Sequence, residues 1–201
     1  MLKEIFEDKK NKVWEEISNE LGGEFKKGSF FKGSGLEFNY KDWIITLDTY
    51  TIMANNVPIT YTRMRSPFSN REKFYFNIYR ENIFSSFGKY FGLKDIIIGD
   101  EFFDKKFIIQ SNDKDKIIKI LKNEILKELI QSQPKISFKI KDDEGWFGKY
   151  FPEGTDELYF ECSEIIKEKN QIKSLFELFS LCLDILVEMK LAYKETPKIK
   201  I

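Results

Sequence analysis

Arg63 and Arg65 stand two residues apart in the run Thr62-Arg63-Met64-Arg65, a spacing that puts both guanidiniums on one face of a strand. A guanidinium fork holds a carboxylate or a phosphate through two parallel hydrogen bonds. All four arginines (63, 65, 71 and 80) lie between positions 63 and 80, whereas the other 29 of the 33 basic residues are lysines spread along the chain. Tyr61 falls on the same face, and a following strand offers Tyr75, Asn77 and Tyr79. Arg63, Arg65, Tyr61 and Tyr75 are therefore the candidate ligand-binding set, suited to a small anionic ligand or to stacking the bases of a single-stranded nucleic acid. The same residues can instead serve the fold, with the arginines paired to an internal carboxylate. Asp95, Asp100 and Asp104 are the plainest partners in the sequence. Arg71 falls in a turn and Arg80 at a strand end.

Those three aspartates, with Glu101, also carry the second chemistry that the chain suggests. Carboxylates at this density can hold magnesium or calcium through oxygen, or work as an acid and a base. Asp95, Asp100 and Asp104 are the candidate metal ligands, although their spacing fits no EF-hand. The bland alternative is that they cap turns and helix starts. Two glycine-rich patterns fail on inspection. Gly28 to Gly35 has P-loop glycine spacing but Ser34 where the phosphate-binding lysine belongs, and Gly33-x-Gly35 lacks a third glycine.

The segment Gly99-Asp100-Glu101-Phe102-Phe103-Asp104-Lys105-Lys106-Phe107, followed by Ser111-Asn112-Asp113 and a helix, resembles a pattern in uncharacterised bacterial proteins with a Phe-Asp-x-x-Phe core, an acidic turn and a closing helix. Thr62-Arg63-Met64-Arg65 fits the same pattern. The resemblance covers about a quarter of the chain. It implies a bacterial domain of unknown function and carries over no catalytic residue.

Composition narrows the field. There is no histidine, so every nucleophile–histidine site and the usual base near neutral pH are excluded. Lysine and arginine balance aspartate and glutamate at 33 each, so no global field draws the chain to nucleic acid or an anionic membrane. Cys162 and Cys182 make neither a zinc motif nor a disulfide framework. Met1 to Asp8 holds no signal-like apolar run, and Leu175 to Leu191 is interrupted by three acids, which points to the cytoplasm and to no membrane span.

Periodicity supplies the elements that would position these residues. An amphipathic helix is expected over 2–21, a meander of strands over 36–80 with a turn at Asn55-Asn56, a helix over 114–131 and a largely apolar helix over 171–193. Short strands are expected near 107–110, 135–141 and 157–162. Strands 59–66 and 74–80 read as a hairpin in which Arg65 faces Tyr75 and Arg63 faces Asn77. The expected fold is α+β, an antiparallel sheet of five to seven strands packed against two or three helices, with residues 1–201 as one domain. The expected role is a non-catalytic binding or interaction module for a protein or a small anionic ligand, with no cofactor. The alternatives are a carboxylate-based hydrolase, metal-dependent or not, and a single-stranded nucleic-acid-binding sheet.

Overall fold

The computed structural model describes residues 2–28, 33–80, 94–142 and 151–193. The fold is α+β, with one antiparallel sheet of eight strands and five helices among the described residues. In chain order these are α1 (Leu2–Leu21), β1 (Glu24–Lys26), β2 (Gly35–Tyr40), β3 (Trp43–Ala54), β4 (Val57–Ser69), β5 (Phe76–Arg80), α2 (Glu101–Asp104), β6 (Phe107–Ser111), α3 (Lys114–Ile120), α4 (Glu124–Ser132), β7 (Ser137–Lys141), β8 (Thr155–Cys162) and α5 (Lys169–Glu188). Both counts exceed the expectation. The three-residue β1 and the four-residue α2 are too short to show a period in the sequence, and the helix expected over 114–131 is two. Leu121 ends α3, and the Asn123 side chain accepts from the Leu126 N–H at 3.0 Å to start α4.

The strand order is β1-β2-β3-β4-β8-β7-β5-β6. The anticipated hairpin of 59–66 with 74–80 therefore does not form: β4 pairs with β3 and β8, while β5 pairs with β6 and β7. Asn70 closes the loop after β4 through hydrogen bonds to both the N–H and the carbonyl of Phe74. β8 takes the edge of β4 that β5 would have used.

Register explains the core. Directly paired residues share a face, and Leu36, Leu47, Met64, Phe160, Phe138, Ile78 and Ile109 form one apolar row across seven strands. All seven are buried. α5 lies on that face, with Phe179 and Phe138 ring centroids 5.7 Å apart and Phe176 and Phe38 5.1 Å apart. α1 and α4 flank it. The buried Trp14 of α1 also donates its indole N–H to the Ile166 carbonyl at 2.9 Å, tying the first helix to the segment leading into the last. No described helix is long and apolar enough to cross a membrane, and both cysteines are buried free thiols.

Candidate functional site

The neighbouring register row points to the opposite face and is polar. Thr46, Arg65, Tyr159, Lys139, Asn77 and Gln110 follow one another on six adjacent strands. Period-two alternation thus places Tyr61, Arg63, Arg65 and Asn77 on one face, as the sequence indicates, although the strands carrying them are not neighbours.

The arginine pair has an internal partner, and it is Asp48 rather than Asp95, Asp100 or Asp104. Asp48 lies opposite Arg63 on β3. Arg63 donates from Nε at 2.6 Å and from Nη2 at 3.2 Å, and Arg65 donates from Nη2 at 2.7 Å, all to the Asp48 carboxylate. Arg65 and Asp48 are 3% and 6% exposed, so they form a buried ion pair with the half-buried Arg63 as its third member. The Arg63 guanidinium also lies 4.9 Å from the Tyr50 ring, which stacks on Tyr61 at 5.3 Å. Beside it, Glu161 accepts from the Tyr50 hydroxyl (2.8 Å), the Tyr159 hydroxyl (3.2 Å) and the Lys139 ammonium (2.9 Å). Burial, and next the Glu161 carboxylate, push both phenols above their ordinary range.

Other candidates lie elsewhere. The Tyr75 hydroxyl belongs to the environment of Asp156, and burial raises its pKa to about 12. Arg80 donates to the carbonyls of Gln131 and Gln133 at the end of α4 and lies over the Phe107 ring, so it is a helix-end anchor rather than an incidental strand end. Arg71, in its turn, lies 4.8 Å from the Tyr193 ring.

The three aspartates point to separate tasks. Asp95 accepts from the Gln110 amide at 3.0 Å. Asp100 caps α2 through the Phe103 N–H and pairs with Lys127 at 2.5 Å, the lysine being the first cause that holds its carboxyl below the usual range. Asp104 accepts from the N–H groups of Ile98 and Gly99, bracing a turn that Gly99 makes at a positive φ of 87°. No three acids or thiols among the described residues converge as a metal would require.

One feature was not read from the sequence. β3 and β4 pair from Thr46–Arg65 to Ala54–Val57, but β2 reaches β3 only as far as Asp48, and β8 reaches β4 only from Thr62 onward. Beyond those points, among the described residues, the hairpin continues as a two-stranded arm, turning at Asn55 and Asn56, both with positive φ. Met53 and Val57 at its tip are 66% and 59% exposed. Residues Thr49 to Thr62 are fourteen consecutive positions without a charged side chain, in a chain that is 33% charged; the next longest such run is half that length. That charge-free run was the available signal. The Asp48–Arg63–Tyr50–Tyr61 cluster sits at the arm's root and stiffens it where it leaves the sheet.

The chain matches no protein-family model, no curated protein and no solved structure.

Proposed function

We propose that this chain is a non-catalytic binding module that engages another protein through the β3–β4 arm. The observation that carries the reading is the arm itself: strand edges without a pairing strand among the described residues, an exposed apolar tip and no charge along fourteen residues. Natural proteins blunt exposed edges with lysine, with short strands or with a covering element. This arm is long and carries no lysine, although lysine is abundant elsewhere in the chain.

The competing readings have less behind them. A small anionic ligand would have to compete with Asp48 for Arg63 and Arg65. Among the buried side-chain atoms of this face without a hydrogen-bond partner, Asn77 Oδ1 and Gln110 Oε1 are acceptors, which an anion does not satisfy. Base stacking needs open rings, and Tyr61 is 8% exposed. The hydrolase reading would need the three aspartates to meet.

Two measurements test the proposal. Replacing Thr51–Thr60 by Asn-Gly should leave the unfolding midpoint nearly unchanged, because the arm lies outside the core; collapse of the fold would make the arm structural and end the proposal. A photo-crosslinking residue at Met53, in cells expressing the full chain, should give discrete protein adducts that the same group at the exposed helical Lys119 does not. Equal labelling from both positions refutes the reading.

A further inference from the structure

Apart from the arm, the corner where β4 ends and β8 begins carries a device of its own. Its centre is Asp156, and we infer that this carboxyl is a proton-operated latch: neutral, it fastens the Asn70–Phe74 loop to the start of β8, and ionised, it lets that corner open.

The contacts meet at one side chain. Asn70 is 1% exposed, and its amide nitrogen donates both to the Phe74 carbonyl at 2.9 Å and to the Asp156 carboxylate at 2.5 Å. Its amide oxygen accepts from the Phe74 N–H at 3.1 Å. The Asn70 backbone N–H donates to the carbonyl of Gly154 at 2.8 Å, just before β8 starts. Asp156 therefore fixes the amide that closes the loop, and the same residue ties the loop to β8. The loop is also held under strain, because Lys73 has a φ of 49°, in the left-handed region that such a side chain rarely adopts.

The surroundings of the carboxyl make it sensitive to protons. It is 5% exposed. From the loop, the uncharged Asn70 amide, the Tyr75 hydroxyl and the charge of Lys73 act on it, and from the end of β7 the charge of Asp142. On β4 its partner Phe68 is apolar. A buried carboxyl among uncharged donors, with an acid beside it, favours its neutral form. Burial first, and then Asp142, raise its pKa to about 6, and Lys73 opposes this with less effect than either. Opening the corner returns the group to water and to its ordinary 3.8. Closure is thus fully supported below about pH 4, loses support as pH rises to about 6, and changes little beyond.

Amide hydrogen exchange on the full chain, read by NMR from pH 4 to pH 7 and divided by the intrinsic rates, tests the latch. The Asn70 and Phe74 amides should lose about fiftyfold in protection over that range. Met64, within β4 and between β3 and β8, should stay better protected than either at every pH. Asp156→Asn keeps an uncharged acceptor for Asn70, so both loop amides should then hold one level of protection throughout. Asp142→Asn leaves the contacts in place and removes a raising charge, so the loss should shrink. The latch is overturned if Asn70 and Phe74 exchange no faster than Met64, since they would then open only with the whole fold. A loss that persists in Asp156→Asn overturns it too. Should that variant fail to fold, Asp142→Asn decides, and an undiminished loss there ends the idea.

Discussion

Asp48 holds two guanidiniums in a nearly dry place, and the charge arithmetic there is strict. Removing the carboxylate while keeping its shape leaves Arg63 and Arg65 facing each other without it. Asp48→Asn is expected to cost about 3–5 kcal/mol in urea unfolding, the range for breaking a buried ion group; a loss under 1 kcal/mol would show that the triad is well solvated. Asp156 carries the pH prediction. Its carboxylate accepts from Asn70 at 2.5 Å and is 5% exposed. Burial, reinforced by the Asp142 charge and opposed by the Asn70 and Tyr75 hydrogen bonds, raises its pKa from an ordinary 3.8 to about 6. The folded chain therefore favours the protonated acid. Its stabilising contribution is fully present below about pH 4 and is lost as pH rises through about 6, amounting to about 3 kcal/mol. Unfolding compared across pH 4, 5, 6 and 7 should show Asp156→Asn gaining that much on the wild type; a pH-independent gap refutes the assignment. These residue-level features were only partly legible. The alternation of Tyr61, Arg63 and Arg65 gave the face correctly, because period two is local. The partner of the arginines is not legible in the same way, because Asp48 meets Arg63 only through the β3–β4 register, fifteen residues away in the chain.

Among the elements, the amphipathic first helix was readable to its ends, since Gly22, with a positive φ of 67°, stops it. The helix expected over 114–131 was not. The stripe Ile117, Leu121, Ile125 and Leu129 keeps a helical spacing across the break, so the apolar pattern hides what Asn123 does. Asn123→Ala should cost about 1 kcal/mol by removing the cap of α4, read as a shift in urea midpoint. Arg80, which grips the other end of α4, should make that loss larger when it too is replaced by alanine. Purely additive losses would show that the two ends act independently. The arm belongs to this scale as well. Its turn at Asn55-Asn56 was legible from residue type, but its length was not. Ile52, Met53, Val57 and Pro58 read locally as a loop, and only the absence of charge over fourteen residues sets them apart.

For the whole molecule, the decisive fact is that β8 lies between β4 and β7. No local pattern announces this, because β8 pairs with residues 62–69 and 137–141, and its polar and apolar residues alternate like those of any other strand. A chain ending at residue 150 should show no cooperative unfolding transition, since its two part-sheets, β1–β4 and β7–β5–β6, would share no ladder. A sharp transition in that fragment would mean that one part folds alone. Position in the sheet also sets a timetable. At ~5–20 residues per second, a ribosome spends on the order of ten seconds making everything before β8. Through that interval the nascent chain carries two unfinished half-sheets with open edges, and only the arrival of Thr155–Cys162 lets them become one.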